Sequence, residues 1–175
     1  MSFKIKDYII DRKRIGKGSF SSIYKCYNAK TNKKYAIKEI IIDKNHNKSV
    51  IKREFNVLKT LNHPNIIKLH DVIIDTSFQN IYFIMDYHEY GDLSKFLNKR
   101  ALKEKYCKKY LRQLSEALNY LFQNNIVHRD LKPQNILMSN SHNIIITDFG
   151  FARKINEKLL FTTLCGSPMY MAPEI

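Results

Sequence analysis

The apolar period of this chain changes once, just after Tyr90-Gly91, and that single change constrains the fold most. Ahead of it, Tyr8 to Ile15, Ser21 to Asn28, Lys34 to Ile41, Leu69 to Ile74 and Ile81 to Tyr87 read as strands. Gly16-Lys17-Gly18 and the Lys30-Thr31-Asn32-Lys33 run punctuate them as turns. Ser49 to Leu61 reads as a helix, with Ser49 as its cap and His63-Pro64-Asn65 as its stop. Beyond the change, Asp92 to Leu97 suggests a short helix. Lys103 to Gln123 suggests a long one, with Tyr110, Leu114, Leu118 and Leu121 on one stripe. The expected class is α+β in two parts. Residues 1–87 make a five-stranded antiparallel sheet with one helix, and 88–175 make a mainly helical part. The parts meet near Tyr87 to Gly91, and a ligand cleft between them is the natural expectation.

The second part carries an ordered set of polar residues. The segment HRDLKPQNIL puts Asp130 and Asn135 on a short loop, and ITDFG puts Asp148 at the end of an apolar strand. Phosphoryl transfer from ATP needs an acceptor for the substrate hydroxyl proton and two oxygen ligands for magnesium. Asp130, Asn135 and Asp148 supply those groups in sequence order. Each also has a plainer reading alone: Asn135 as a loop cap, Asp148 as a solvated turn before Gly150. Those readings explain the residues singly and the set poorly.

The first part adds weaker signals. Gly16 and Gly18 fill two of three positions in a G-x-G-x-x-G loop, where glycine lets backbone N–H groups approach phosphate. Ser21 stands at the third position. Two glycines in a hairpin are often only a turn. A dinucleotide-binding reading fits less well, because this loop joins two strands rather than a strand and a helix. Ala36 and Lys38 share a strand face, so a small residue sits beside a cation, which suits a planar base next to phosphates. Glu54 lies on the helix stripe of Ile51, Val57, Leu58 and Leu61. A buried acid there needs a partner, since an unpaired buried charge costs several kcal/mol. The alternative is a rim carboxylate facing water.

From Tyr8 to Ile175 these motifs resemble the front two-thirds of a eukaryotic protein kinase domain, of serine/threonine type. HRDLKPQNIL, DFGFAR and LCGSPMYMAPEI resemble the autophagy-initiating serine/threonine kinases. The resemblance implies a bilobal fold, ATP and Mg²⁺ as cofactors, a protein substrate, and transfer of the γ-phosphate to Ser or Thr hydroxyls. It implies that Gly16, Lys17, Gly18, Ser19 and Ser21 cover the phosphates. Ile23, Ala36 and Leu137 would enclose adenine, main-chain groups of Asp86 and His88 would bind its edge, Met85 would border a back pocket, and Asp92 would reach the ribose. Lys38 would pair with Glu54 and orient the α- and β-phosphates. Asp130 would take or orient the hydroxyl proton, Lys132 would contact the γ-phosphate, and Asn135 and Asp148 would hold magnesium. His128 and Phe149, with Leu58 and Leu69, would form an apolar spine. Ser167 would hydrogen-bond Asp130 and Lys132. Arg129 would pair with a phosphorylated Thr162 or Thr163, the latter fitting better.

Bulk properties narrow the alternatives. Net charge is +14, from 30 Lys plus Arg against 16 Asp plus Glu. The lysines are spread along the chain, so a generally basic surface that favours acidic partners is preferred to a nucleic-acid site. No window approaches the roughly 20 apolar residues of a membrane span, and MSFKIKDYII has no cleavable apolar core. Cys26, Cys107 and Cys165 are scattered without metal-ligand spacing, which reads as reduced thiols in a cytoplasmic protein. The resemblance also implies a continuation past Glu174-Ile175 of most of roughly another hundred residues. That segment, or a partner, would cover the partial second lobe and the long-helix stripe, and would supply an Arg for Glu174. A non-catalytic nucleotide-binding or scaffold fragment is the alternative function.

Overall fold

A computed structural model describes residues 2–18, 20–42, 48–75, 79–98, 101–139, 142–155 and 166–173. These group into two compact units. The first comprises residues 1–48 and 68–87, and the second 49–67 and 88–175. The lobes expected from sequence, 1–87 and 88–175, cut through this grouping, because the helix and the segment after it fall with the second unit.

The first unit is one antiparallel sheet. Its strands are β1 (Ser2–Ile5), β2 (Tyr8–Lys17), β3 (Ser21–Asn28), β4 (Lys34–Ile41), β5 (Leu69–Ile74) and β6 (Asn80–Asp86), in the order β1-β2-β3-β4-β6-β5. The five expected strands are present, and β1 adds a sixth at the edge. Phe3 and Ile5 of β1 pack against a core of Tyr8, Ile10, Cys26, Ile37, Ile73, Tyr82 and Ile84. Alternation explains this set: Ile10, Cys26 and Ile37 point to one face, while their neighbours in sequence turn away. Burial also pushes the Cys26 thiol up to about 12, so it stays a protonated packing group. β2 runs two residues past the expected Ile15, and its pairing with β3 shifts register between Ile10 and Arg14 and again before Gly16. Such irregularities bend a strand and leave it ready to turn.

The second unit holds α1 (Lys48–Leu58), α2 (Leu93–Leu97) and α3 (Glu104–Gln123). Helix α1 begins before Ser49, so Ser49 lies inside it and is not the expected cap; residues 43–47 lie outside the described set. The helix ends at Leu58, three residues earlier than expected. Lys103 is the N-cap of α3 and makes no side-chain capping bond. The stripe on α3 buries Tyr110, Ala117 and Leu121. Tyr110 packs with Ile136, Met138 and Ile144, supported by Leu114 and Phe96. Those isoleucines come from the hairpin β8 (Ile136–Met138) and β9 (Ile144–Ile146), which follows β7 (Ile126–Val127). Residues 62–67 are tied to this core by polar bonds. Asn65 Nδ2 donates to the Ile144 carbonyl at 2.8 Å, Asn62 N donates to Tyr120 Oη at 2.9 Å, and Ile67 N donates to the Ile146 carbonyl at 2.9 Å. A buried amide finds its partners there, which explains why this segment belongs to the second unit.

Candidate active site

The loop after β7 is built around an aspartate held from three sides. Asp130 is buried. Ser167 Oγ donates to its Oδ1 at 2.8 Å, and Lys132 Nζ meets its Oδ2 at 2.9 Å. Asn135 Nδ2 donates to Oδ2 at 2.9 Å and to the Asp130 carbonyl at 2.8 Å. Lys132 Nζ also donates to Ser167 Oγ at 2.7 Å, which closes the network. Burial works to raise the Asp130 pKa, but the bonds from Lys132, Ser167 and Asn135 outweigh it and hold the carboxyl below its ordinary range. The group is therefore an anion with fixed orientation and low basicity.

Backbone contacts hold that loop in place. His128 donates through Nε2 to the Thr147 carbonyl at 2.9 Å and accepts through Nδ1 from Asp130 N at 3.3 Å. Accepting at Nδ1 requires the neutral ring, and burial lowers the His128 pKa accordingly. Its ring meets Phe149 edge-on at 4.9 Å, so His128 is a packing and backbone-fixing group. Arg129 has a left-handed backbone (φ 67°) and donates from Nε to the Phe151 carbonyl at 2.9 Å. Gly166 has φ +115°, and a Cβ there would lie 2.5 Å from the Arg129 carbonyl oxygen. Only glycine brings this peptide so close to the loop, and Ser167 follows it. Sequence reasoning misses the Thr147 and Phe151 carbonyls and Gly166. The carbonyls leave no side-chain signal; the isolated glycine at 166 is the one available clue.

Asp148 lies just beyond β9 with φ 63° and ψ 75°. A left-handed conformation at a non-glycine residue costs about 1–2 kcal/mol and is commonly kept where geometry serves a site. Thr147 N donates to the Asn135 carbonyl at 2.9 Å, which links the Asp148 segment to the Asn135 turn. Asn135 spends its Nδ2 on Asp130, which leaves Oδ1 as its acceptor atom. One carboxylate and one amide oxygen suit magnesium, which keeps several waters and takes its remaining ligands from phosphate. Among the described residues no group of three His, Cys, Asp or Glu side chains forms a denser metal cluster. Glu54 is buried on α1, and its Oε2 would lie 3.9 Å from a Cβ placed on Gly150. Leu137 pairs with Ile145 in the hairpin and bridges to Asp92. Asp92 caps α2, accepting from Lys95 N at 2.9 Å and pairing with Lys95 Nζ at 2.8 Å. His88 lies just ahead of the Glu89-Tyr90 turn.

The remaining expected residues lie in the first unit. Ile23 stands opposite Lys38, and Ala36 opposite Met85, so these four side chains share one sheet face. Phe83, opposite Lys38 and fully buried, completes the row without having signalled itself in the sequence. Gly18 N donates to the Ser21 carbonyl at 2.8 Å, closing the glycine turn. A Cβ on Gly18 would lie 2.6 Å from Ser21 Oγ. Lys17 ends β2, and Ser19 lies outside the described residues. Asp86 ends β6, and its carboxylate meets His70 Nε2 at 2.7 Å, a pair that the sequence does not reveal. Lys38 and Glu54 lie in different units and each has polar or ring contacts of its own. Thr162, Thr163, Cys165 and Glu174 also lie outside the described residues.

The chain is similar in sequence to known protein kinases. The sequence profile of the protein kinase domain matches residues 9–175. The chain is 45% identical to "Serine/threonine-protein kinase atg1" of Dictyostelium discoideum, covering 98% of this chain and 27% of that protein. It is 41% identical to "Serine/threonine-protein kinase ATG1c" of Arabidopsis thaliana, covering 98% and 24%. "CBL-interacting serine/threonine-protein kinase 12", also from Arabidopsis thaliana, is 38% identical over 93% of this chain and 34% of its own. The chain spans 24% to 34% of the length of these relatives. With the expected α+β architecture present and a family match over nearly its whole length, the chain belongs to the protein kinase domain family.

Proposed function

We propose that this chain is the phosphoryl-transfer region of a serine/threonine protein kinase, which moves the γ-phosphate of ATP to a Ser or Thr hydroxyl of a protein. The observation that carries the reading is the Asp130 network. A carboxylate bound by Lys132, Ser167 and Asn135 has little capacity to strip a proton early. It orients the substrate hydroxyl and takes its proton as the O–P bond forms. Lys132, 2.9 Å from Asp130, brings a cation beside that hydroxyl for the transferring phosphoryl oxygens. Asn135 and Asp148 would hold the magnesium ions, which when bound neutralise charge on the phosphates. The face of Ile23, Ala36, Lys38 and Met85, with the glycine turn at Gly16, Lys17, Gly18, Ser19 and Ser21, would serve the nucleotide. Main-chain groups of Asp86 and His88, and the side chains of Leu137 and Asp92, are further candidates for nucleotide contact. Lys38 and Glu54 are each candidates for orienting the phosphates. The partner is a protein substrate. Its setting is cytoplasmic, where the free thiols of Cys26 and Cys107 stay reduced.

A thermal-shift titration with Mg-ATP tests the nucleotide part of this reading. The melting temperature should rise with Mg-ATP in the wild type and rise less in Asp148→Asn. Equal shifts in both, or no shift in a protein that melts cooperatively, would overturn it.

A further inference from the structure

Strand β6 ends at Asp86, one residue past Met85 on the face proposed for the nucleotide. Side chains alternate, so the Asp86 carboxylate points to the opposite face, beside Tyr35. The Asp86 N–H is spent on the Lys68 carbonyl at 3.3 Å, so a carbonyl is the main-chain group that Asp86 can offer a base. A side chain from β5 reaches this strand end. Leu69 stands opposite Met85 and Asp71 opposite Ile84, so His70 is the extra residue where the register shifts. Irregularities of this kind re-aim a side chain and are frequent beside active sites. Here His70 Nε2 donates to Asp86 Oδ1 at 2.7 Å. The imidazole is itself seated against the core: its ring meets Tyr35 edge-on at 5.1 Å, and Tyr35 meets Tyr8 at 5.7 Å.

We infer that His70 is a positioning residue for adenine selectivity, acting through Asp86 from the side of the sheet away from the nucleotide. This rests on the nucleotide contact proposed for the Asp86 main chain. A carbonyl only accepts, so it suits the exocyclic amine of adenine and opposes the O6 carbonyl of guanine. That preference requires the carbonyl to keep one direction. Because β6 ends at Asp86, the next peptide lies outside the ladder and the sheet alone does not fix it. A tether on the Asp86 carboxylate restricts rotation at this point. The two side chains are part-exposed, 21% for His70 and 36% for Asp86, so the bond adds little to overall stability and its effect is local.

The test is competition of Mg-ATP and of Mg-GTP against a fluorescent ATP analogue on the whole chain, in wild type, His70→Ala and His70→Gln. The wild type should prefer ATP. His70→Ala should weaken Mg-ATP by at least about threefold and leave Mg-GTP unchanged, so that the preference narrows. Glutamine keeps an N–H donor and should recover most of the preference. Melting temperatures of the three proteins should match. Full wild-type preference in His70→Ala would overturn the inference alone. So would an equal loss for both nucleotides, which is what a general loosening of the sheet produces. A wild-type chain that melts cooperatively yet binds neither nucleotide, or binds both equally, would overturn the Asp86 contact as well.

Discussion

Ser167 Oγ donates to Asp130 Oδ1 at 2.8 Å, bridging 37 positions of sequence, and simultaneously accepts from Lys132 at 2.7 Å. This hydroxyl connects the acid and the cation on which the proposed chemistry rests. Ser167→Ala leaves a buried carboxylate oxygen short of a donor, at a cost of about 1–3 kcal/mol. The turnover number should fall about tenfold or more, with the KM for ATP little changed. Ser167→Thr retains the hydroxyl and should restore most of the loss. Steady-state kinetics of the two variants decides the point. An alanine variant with full turnover would show the bond to be incidental.

Gly166 should tolerate nothing larger. Its φ of +115° and the 2.5 Å approach to the Arg129 carbonyl mean that Gly166→Ala must displace the loop carrying Asp130. Gly91 offers a matched comparison, since its φ is +72° but a Cβ added there would meet no atom within 4 Å. Gly91→Ala should therefore cost only backbone strain, about 1–2 kcal/mol. Gly166→Ala should exceed that cost in melts and reduce phosphoryl transfer by more than about tenfold.

Gly18 and Ser21 should be coupled. A methyl at Gly18 would meet Ser21 Oγ at 2.6 Å, so Gly18→Ala should raise the KM for ATP in the wild-type background. Removing the obstacle with Ser21→Gly should recover part of that loss. A double-mutant cycle on KM should give an interaction of about 0.5 kcal/mol or more, and additivity would refute the contact.

Two histidines contribute to the acid limb of stability. Burial lowers the pKa of His128 and of His63, and each accepts a backbone N–H at Nδ1, from Asp130 at 3.3 Å and from Asn65 at 3.1 Å. The unfolded chain binds protons more readily at both sites. Their contribution to stability is thus present above an unfolded pKa of about 6.5 and is lost as pH falls toward the folded values. Melting temperature should decline as pH falls below about 6.5, and less steeply in His63→Gln than in the wild type. An unchanged slope in that variant would remove His63 from the account.

The strands Ser21–Asn28, Lys34–Ile41 and Leu69–Ile74 are legible in the sequence at their observed limits, because clean alternation lies between turn residues. Strand β1 is not, since two lysines flank and interrupt a four-residue strand that Phe3 and Ile5 stabilise only through the folded core. The apolar strand expected ahead of Asp148 is β9, whereas its three-residue partner β8 depends on tertiary contacts more than on local preference. In the site, Asp130 and Asn135 stand out from the sequence itself, and Lys132 and Ser167 only through the family resemblance. The carbonyls of Thr147 and Phe151 are not, since every residue type carries one. The His70–Asp86 pair is hidden because an irregularity between β5 and β6 at Leu69/Asp71 brings the two side chains together.

The central claim is that Asp130 serves ATP-dependent phosphorylation of Ser or Thr, and label transfer tests it most directly. γ-Labelled ATP with magnesium should label Ser and Thr, not Tyr, of a protein substrate when mixed with the wild-type chain. Asp130→Asn, with an unchanged melting temperature, should reduce that labelling by at least about a hundredfold. Label transfer that persists at the wild-type rate in Asp130→Asn would contradict the account.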